Sequence, residues 1–280
     1  MKIAPYTGEA RNVRAMSAAI EFREVSVAAP QGRLLLDSVS LAIEEGTTTA
    51  VLGRSGSGKT TLLRTVNRMV EPSRGTVLLF GKSSQGANLI SLRRNMGYVI
   101  QETGLFPHFT VERNVGLVLE AEGHPRQQRI QRSHELLRAV GLAPASFAHR
   151  FPYQLSGGQR QRVGLARALA AEPNILLMDE PFGALDPLTR SEMQEMLRNL
   201  LDRLKKTVLL VTHDLDEALY LGHRIALLGE GKLVANLAPD EFMRSHQAEI
   251  EAYVHTFHRS DRGAAAESRV RSSEVPESRA

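Results

Sequence analysis

The sequence predicts an α/β fold: a parallel sheet covered by helices on both faces. Three observations carry this. From residue 158 onward, helical patterns alternate with short strands. The strands at 175–178 (ILLM) and 207–211 (TVLLV) are apolar at every position, as strands buried on both faces are. A glycine-rich turn at 53–58 separates the β-rich stretch TTTAVL from a helical pattern.

The elements follow in order. Residues 1–18 read as a loosely held extension. Between 20 and 52, the stretches IEFREVSV, LLLDSVSLAI and TTTAVLG alternate with turns, and Pro30-Gln31-Gly32 punctuates two of them. Residues 58–70 read as a helix with Leu62, Leu63, Val66 and Met69 on one side. Next come a strand at 76–81 and a strand MGYVI that ends at Gln101. Residues 103–157 change character: helices broken by Gly123, Pro125, Gly141 and Pro144 suggest a small helical lobe inserted into the α/β core. Within it, Ile130, His134, Leu137 and Val140 stand against many Arg and Gln. From 158 the order is helix, strand ILLM, a long helix LTRSEMQEMLRNLLDRL, strand TVLLV, helix DLDEALYLG, and strands RIALL and KLVAN. Residues 259–280 are polar and poor in large apolar groups, the composition of a disordered tail.

Composition narrows the function. A chain of 280 residues with 42% hydrophobic content supports one sizeable core, or a core with an attached lobe. With no cysteine there is no disulfide framework and no thiolate zinc site. The apolar runs are only a few residues long, against the roughly 20 a membrane-spanning helix needs. The first residues, MKIAPYTGEARNVRAM, lack the apolar stretch of a secretory signal, which leads to the expectation of a cytoplasmic chain. Thirty-five basic residues against 31 acidic ones give +4, a mixed surface. No aromatic-plus-basic platform for single-stranded nucleic acid is evident.

Three motifs carry chemistry. Gly53-Arg54-Ser55-Gly56-Ser57-Gly58-Lys59-Thr60, followed by Thr61, matches the phosphate-binding pattern G-x-x-x-x-G-K-[ST]. It follows a strand and opens a helix, the context that gives the pattern meaning. Backbone N–H groups turn inward around a phosphate there, and the helix start favours anions. Lys59 reaches the β- and γ-phosphates, and the Thr60 hydroxyl suits Mg²⁺. Second, the apolar strand at 175–178 ends in Asp179 and Glu180. Alternation along a strand gives them different directions, Asp179 toward a magnesium shell and Glu180 toward an attacking water. Third, Leu155-Ser156-Gly157-Gly158-Gln159 starts another helix with a capping serine and two glycines. Either it is an ordinary glycine-rich cap, or it is a second anion site that serves the nucleotide of another copy.

The combination of LSGGQ at 155–159, the phosphate loop at 53–60 and the acidic strand end at 175–180 resembles the ABC ATPase family over roughly residues 19–258. The resemblance implies a P-loop NTPase (RecA-like) core with an antiparallel β subdomain and an inserted α-helical subdomain at about 103–160. It implies two ATP molecules, with Mg²⁺, between two chains paired head to tail. Each ATP meets the phosphate loop of one chain and Ser156, Gly157, Gly158 and Gln159 of the other. By the same resemblance Gln101 senses Mg²⁺ and γ-phosphate, His213 holds γ-phosphate and orients water, and Asp186 lies in a loop that crosses the interface. Glu180 is then the general base, with Lys59 neutralising charge and Thr60, Gln101 and Asp179 around the metal. The family's usual adenine-stacking aromatic is missing: the turn before the loop reads Ala28-Ala29-Pro30-Gln31-Gly32. Weaker adenine selectivity is expected.

The segments GYVIQ (97–101), GLFPH (104–108), PFGALDP (181–187) and THDLDEA (212–218) are similar to those of importers of osmoprotectants and other quaternary amines, such as glycine betaine, choline and carnitine. This implies integral-membrane permease subunits, a periplasmic or extracellular substrate-binding protein, and a peripheral place on the cytoplasmic face of the membrane. Leu105, Phe106, Pro107 and Phe109 either help receive the permease or fill the helical lobe's own core. The chain ends before the paired nucleotide-sensing repeats some relatives carry, so sensing by that route is not expected. The alternatives are an importer of another small solute (amino acid, sulfonate or polyamine) and, in a different class, a soluble ABC ATPase acting on nucleic acid or the ribosome. Those usually carry a long insertion or a second cassette, and neither is evident.

Overall fold

The computed structural model describes residues 18–101 and 103–257. The extension expected at 1–18 and the tail expected at 259–280 lie outside the described residues, except Ala18, which opens the first strand.

Two sheets build the core. An antiparallel sheet joins β1 (Ala18–Ala28), β2 (Leu34–Glu44), β4 (Arg74–Leu79) and β5 (Lys82–Ser83) in the order β2-β1-β4-β5. The second sheet runs β10-β9-β3-β8-β7-β6. Its strands are β3 (Thr48–Leu52), β6 (Met96–Val99), β7 (Ile175–Asp179), β8 (Thr207–Val211), β9 (Arg224–Gly229) and β10 (Lys232–Leu237). All neighbours pair in parallel except β10, which runs antiparallel to β9.

The uniformly apolar strands divide their side chains between two cores. Ala50, Leu52, Leu176, Met178, Val208, Leu210, Ile225 and Leu227 join one cluster. Val51, Ile175, Leu177, Leu209, Val211, Ala226 and Leu228 join the other. The second cluster is closed by α1 (Lys59–Val66), through Leu62, Leu63 and Val66, and by the inner face of the antiparallel sheet. Each such leucine or valine contributes roughly 1.5–3 kcal/mol on burial, so a strand with no polar face is held firmly between the layers.

The first cluster is closed by helices: α6 (Gly157–Ala168), α7 (Pro187–Leu204), α8 (Leu215–Leu221), α9 (Pro239–Arg244) and α10 (residues 248–257). It extends into the lobe of α3 (Val111–Ala121), α4 (Arg126–Ala139) and α5 (Pro144–Phe147). A short helix α2 (Leu89–Arg94), capped by the Asn88 side chain, precedes β6. The sequence reading named no helix at 89–94, 239–244 or 248–257; each is too short or too polar to show a clear period.

Two expectations shift. α1 stops at Val66, because Arg68 turns left-handed (φ 52°) and Met69 and Val70 bond back to the Arg64 carbonyl. Met69 therefore stands 57% exposed instead of continuing the apolar side. On α4 the buried side runs through Ser133, Leu136 and Leu137, with Val140 just past its end. Ser133 is buried because its hydroxyl donates to the Glu112 carbonyl at 3.1 Å. His134 lies half-buried against the Glu112 carboxylate at 2.6 Å.

Candidate functional site

Neighbouring parallel strands bring their carboxyl ends to one edge, where open α/β sheets characteristically bind ligands. Gly53 follows β3, Glu180 follows β7, and Thr212 and His213 follow β8. Val51 pairs with Val211, and Asp179 with that same Val211, so the three loops start side by side.

The 53–60 loop is shaped for close approach. Gly58 takes φ 100°, and a Cβ there would meet the Leu35 carbonyl oxygen at 2.6 Å. No side chain caps α1, so its first N–H groups face the loop unclaimed by a cap. The Ser57 hydroxyl is buried without a hydrogen-bond partner, an orphaned donor inside the loop. Lys59 is buried and its ammonium donates to the carbonyls of Gly53 (2.8 Å) and Arg54 (3.0 Å). Burial lowers its pKa, opposed by the nearby charges of Glu180 and Asp179. Arg54, Ser55 and Gly56 are exposed on the outside of the turn, and Thr61 is half-buried in α1.

Asp179 is 5% exposed and accepts from the Thr60 hydroxyl at 2.9 Å. Arg64 lies 4.0 Å from its other oxygen, and the half-buried Tyr98 phenol stands close to both Arg64 and Asp179. Arg64 and Tyr98 are site-supporting residues the sequence reading missed; only their spacing within the helix and strand hinted at a shared direction. The donor set fits Mg²⁺, which takes oxygen from one or two carboxylates and completes its shell with phosphate and water. Among the described residues no cluster of three or more His, Asp or Glu could cage a cation alone.

Asp179 and Glu180 do part, though strand alternation is not the cause. Asp179 ends β7, and Glu180 leaves the strand with a left-handed φ of 45°, a rare conformation for a side-chain-bearing residue that marks functional turns. Its N–H is tied to the Val211 carbonyl at 2.9 Å. One Glu180 carboxylate oxygen meets His213 Nδ1 at 3.3 Å and Gln101 Nε2 at 3.5 Å. Two residues far apart in sequence, Gln101 and His213, thus converge on the Glu180 carboxylate.

Further residues fix that arrangement. Asp214 caps α8, accepting from the Glu217 N–H at 3.1 Å, and pairs with Arg190 at 3.4 Å. The Thr212 hydroxyl donates to the buried Glu217 carboxylate at 2.5 Å. Burial pushes the Glu217 pKa up to about 7. Buried Gln161 on α6 donates to the Gln101 carbonyl at 3.2 Å. Arg167 on the same helix clasps the carbonyls of Gly104 and Thr103, both at 2.7 Å. The helix that starts at 157 therefore holds the loop after Gln101 by its main chain.

The Ser156–Gln159 turn stands apart. Ser156 is exposed and caps α6, its hydroxyl accepting from the Gln159 N–H at 3.2 Å, while the Gln159 side chain accepts from the Ser156 N–H at 3.0 Å. A Cβ at Gly157 would meet only Leu185, at an ordinary 3.8 Å, and Gly158 packs on Thr189. The hydrogen bonds described for these four residues stay in or beside their own turn and do not reach the glycine loop. Asp186 caps α7, and its hydrogen bonds with Thr189 hold its carboxylate below the ordinary range.

The aromatic segment divides. Leu105 packs on the main core, while Phe106 is 43% exposed and Pro107 is also exposed. Buried Asn114 pins this loop, bonding Phe106 N–H at 2.8 Å and the Phe106 and Phe109 carbonyls. Arg113 lies over the Phe109 ring at 3.8 Å. At the turn 28–32, Ala28 and Pro30 are exposed and no aromatic is present.

A family model described as "ABC transporter" matches residues 36–183. The osmoprotectant import ATP-binding protein of Salmonella typhimurium is 47% identical over 208 residues, 74% of this chain and 54% of that protein. The choline transport ATP-binding protein of Bacillus subtilis is 45% identical over 224 residues, 80% of this chain and 58% of that protein. The chain thus spans little more than half the length of these relatives. Among solved structures, a dimeric ATP-binding cassette in a post-hydrolysis state bound to ADP and Pi superposes with a TM-score of 0.72 at 34% identity, over 79% of this chain and 98% of that one.

Proposed function

This chain belongs to the ABC transporter family, and on that premise we propose that it binds and hydrolyses ATP, between two chains paired head to tail, to drive import of a small quaternary amine. The observation that carries the ATPase part is the convergence of Glu180, His213 and Gln101 beside the loop of Lys59. The cargo rests on the relatives, which are named for osmoprotectant and choline transport. The pairing is supported by the dimeric cassette neighbour and by the outward-facing turn at 156–159.

The phosphates lie against the N–H groups of residues 53–61, with the unpartnered Ser57 hydroxyl and with Lys59 Nζ, released from the Gly53 and Arg54 carbonyls, to meet them. Thr60, Asp179 and Gln101 would hold Mg²⁺, which would neutralise charge on the phosphates. Glu180 accepts the proton of the attacking water, and His213 aligns that water and the γ-phosphate. Ser156, Gly157, Gly158 and Gln159 of the second chain close the site, with Asp186 in the crossing loop. The exposed Phe106 and Pro107 face integral-membrane permease subunits, and a substrate-binding protein delivers cargo outside. The relatives, named as transport ATP-binding proteins, support a peripheral place at the cytoplasmic face; among the described residues no helix is long and apolar enough to cross a membrane. No nucleic-acid partner is part of this reading.

Glu180→Gln tests it. Removing a general base lowers turnover roughly 10²–10⁴-fold, while ATP binding survives because the glycine loop is untouched. Steady-state hydrolysis and uptake of labelled glycine betaine at high osmolarity, in a strain without another betaine importer, are the measurements. Wild-type hydrolysis in the variant removes Glu180 from the base role. Lost hydrolysis with unchanged betaine uptake removes the cargo.

A further inference from the structure

Helix α10 was not read from the sequence, and nothing in the mechanism above uses it. It nevertheless reaches the site. Ile250 is 1% exposed, and Tyr253, Val254 and Phe257 pack on the main core, so the helix is seated on the molecule by its own apolar side. Tyr253 also lines an open cleft of about 900 Å³ on the outer side of the glycine loop, with Leu34, Leu35, Arg54, Ser57 and Gly231.

The Tyr253 hydroxyl is placed between two catalytic loops. It donates to the His213 carbonyl at 2.9 Å and stands beside the start of the glycine loop, sharing its cleft with Arg54, Ser55, Gly56 and Ser57. Gly53 is the first residue after β3 and His213 the second after β8, neighbouring parallel strands joined as far as Val51 and Val211. Beyond the strand ends, Thr212 N–H still reaches the Val51 carbonyl at 3.2 Å. His213 itself has no such tie to β3. The Tyr253 hydroxyl holds the His213 main chain from the side of the phosphate loop.

We propose that Tyr253 is a positioning residue for ATP hydrolysis, its hydroxyl fixing the His213 peptide relative to the start of the phosphate loop. The inference rests on the ATPase reading above. It makes α10 a strap across the carboxyl ends of β3 and β8. Burial pushes the phenol up to about 12, so the group stays a neutral donor and acceptor throughout the working pH range. The Tyr253 ring contributes packing, and its oxygen contributes alignment; the two are separable by substitution.

The experiment uses the full chain with Tyr253→Phe and Tyr253→Ala, measuring kcat and KM for Mg-ATP and the thermal midpoint. Tyr253→Phe keeps the ring and removes the hydrogen bond to the His213 carbonyl. A hydrogen bond of ordinary net strength corresponds to a factor of about 2–10, so kcat is expected to fall about fivefold. KM is expected to change less than about twofold and the midpoint by no more than about 4 °C. Tyr253→Ala is expected to lower the midpoint as well. Wild-type kcat in Tyr253→Phe overturns the inference, whatever Tyr253→Ala does to stability. A fall in kcat matched by an equal rise in KM also overturns it, because the defect is then loss of ATP binding. Wild-type turnover that Glu180→Gln abolishes keeps the ATPase reading in place, so the Tyr253→Phe result judges this inference alone. A wild-type chain with no ATP turnover fails both.

Discussion

Helices α1 and α6 both begin at glycines, and the chain treats the two starts in opposite ways. At α1 the residue before the helix is left-handed, no side chain caps the N–H groups, and the lysine that opens the helix is buried. At α6 an extended serine caps the helix, its partner glutamine caps in return, and the serine is exposed. The first start leaves donors unsatisfied and surrounds them with its own chain: Lys59, Asp179, Glu180 and Tyr253. The second start satisfies itself and looks outward. A surface complete within one chain is tied down by that chain. A surface that finishes another chain's site has to be stable alone and open to approach.

Gly58→Ala gives the largest expected effect. An alanine held at φ 100° costs about 1–3 kcal/mol in backbone strain alone, and its Cβ would lie 2.6 Å from a main-chain oxygen that cannot swing away. The thermal midpoint drops and ATP-analogue binding is lost. Gly157→Ala at the other start meets nothing closer than 3.8 Å from Leu185. It is expected to leave the midpoint and single-chain ATP binding near wild type. Similar losses of ATP binding in both variants would erase the contrast.

The contrast was only partly legible in the sequence. Residues 53–60 and 155–159 are short, contiguous patterns, and each lies on the element expected for it. The alternation of strands and helices was legible because uniformly apolar strands require cover on both faces. Three things were not. The cause of the separation of Asp179 from Glu180, which the sequence assigned to strand alternation, is a left-handed turn at Glu180 that no residue type announces. Arg64, Tyr98 and Gln161 act through long-range contacts between elements, and a single sequence carries no record of those. Helix α10 has a short apolar side and no motif, so Tyr253 was invisible until the strands were assembled.

A second prediction concerns how tightly the site's own chain is wound around it. Glu217 lies beneath the His213 loop, 3% exposed, and its pKa is raised from 4.5 to about 7. Burial is the main cause. Thr212, Arg190 and His213 pull the value down, and Asp214 pushes it up. The folded state therefore holds a proton that the unfolded chain releases near 4.5. Stability falls as pH rises from about 4.5 to about 7, and the penalty is fully present above that. Glu217→Gln removes the ionisation. Relative to wild type the variant is expected to gain stability across that window, by about 1–3 kcal/mol at pH 8. Denaturant midpoints at pH 5 and pH 8 read the difference. A gap that does not widen with pH means Glu217 is already ionised in the fold.

Ser156→Ala has the smallest expected effect on the fold and separates the two starts most sharply. Loss of an N-cap costs about 1 kcal/mol, and the turn is exposed, so the chain remains folded and binds ATP through residues 53–61. Hydrolysis nevertheless falls, because the group lost belongs to the nucleotide of another chain. Mixing settles where it acts. A chain with Lys59→Ala has a defective phosphate loop and an intact Ser156; a chain with Ser156→Ala is the converse. In a mixed head-to-tail pair, both defects fall in one site and the other site is whole. Two inactive preparations are therefore expected to recover activity on mixing, up to about half the wild-type rate in each mixed pair because one of its two sites is intact. If Ser156 serves the loop of its own chain, every site in the mixture carries one defect and no activity returns.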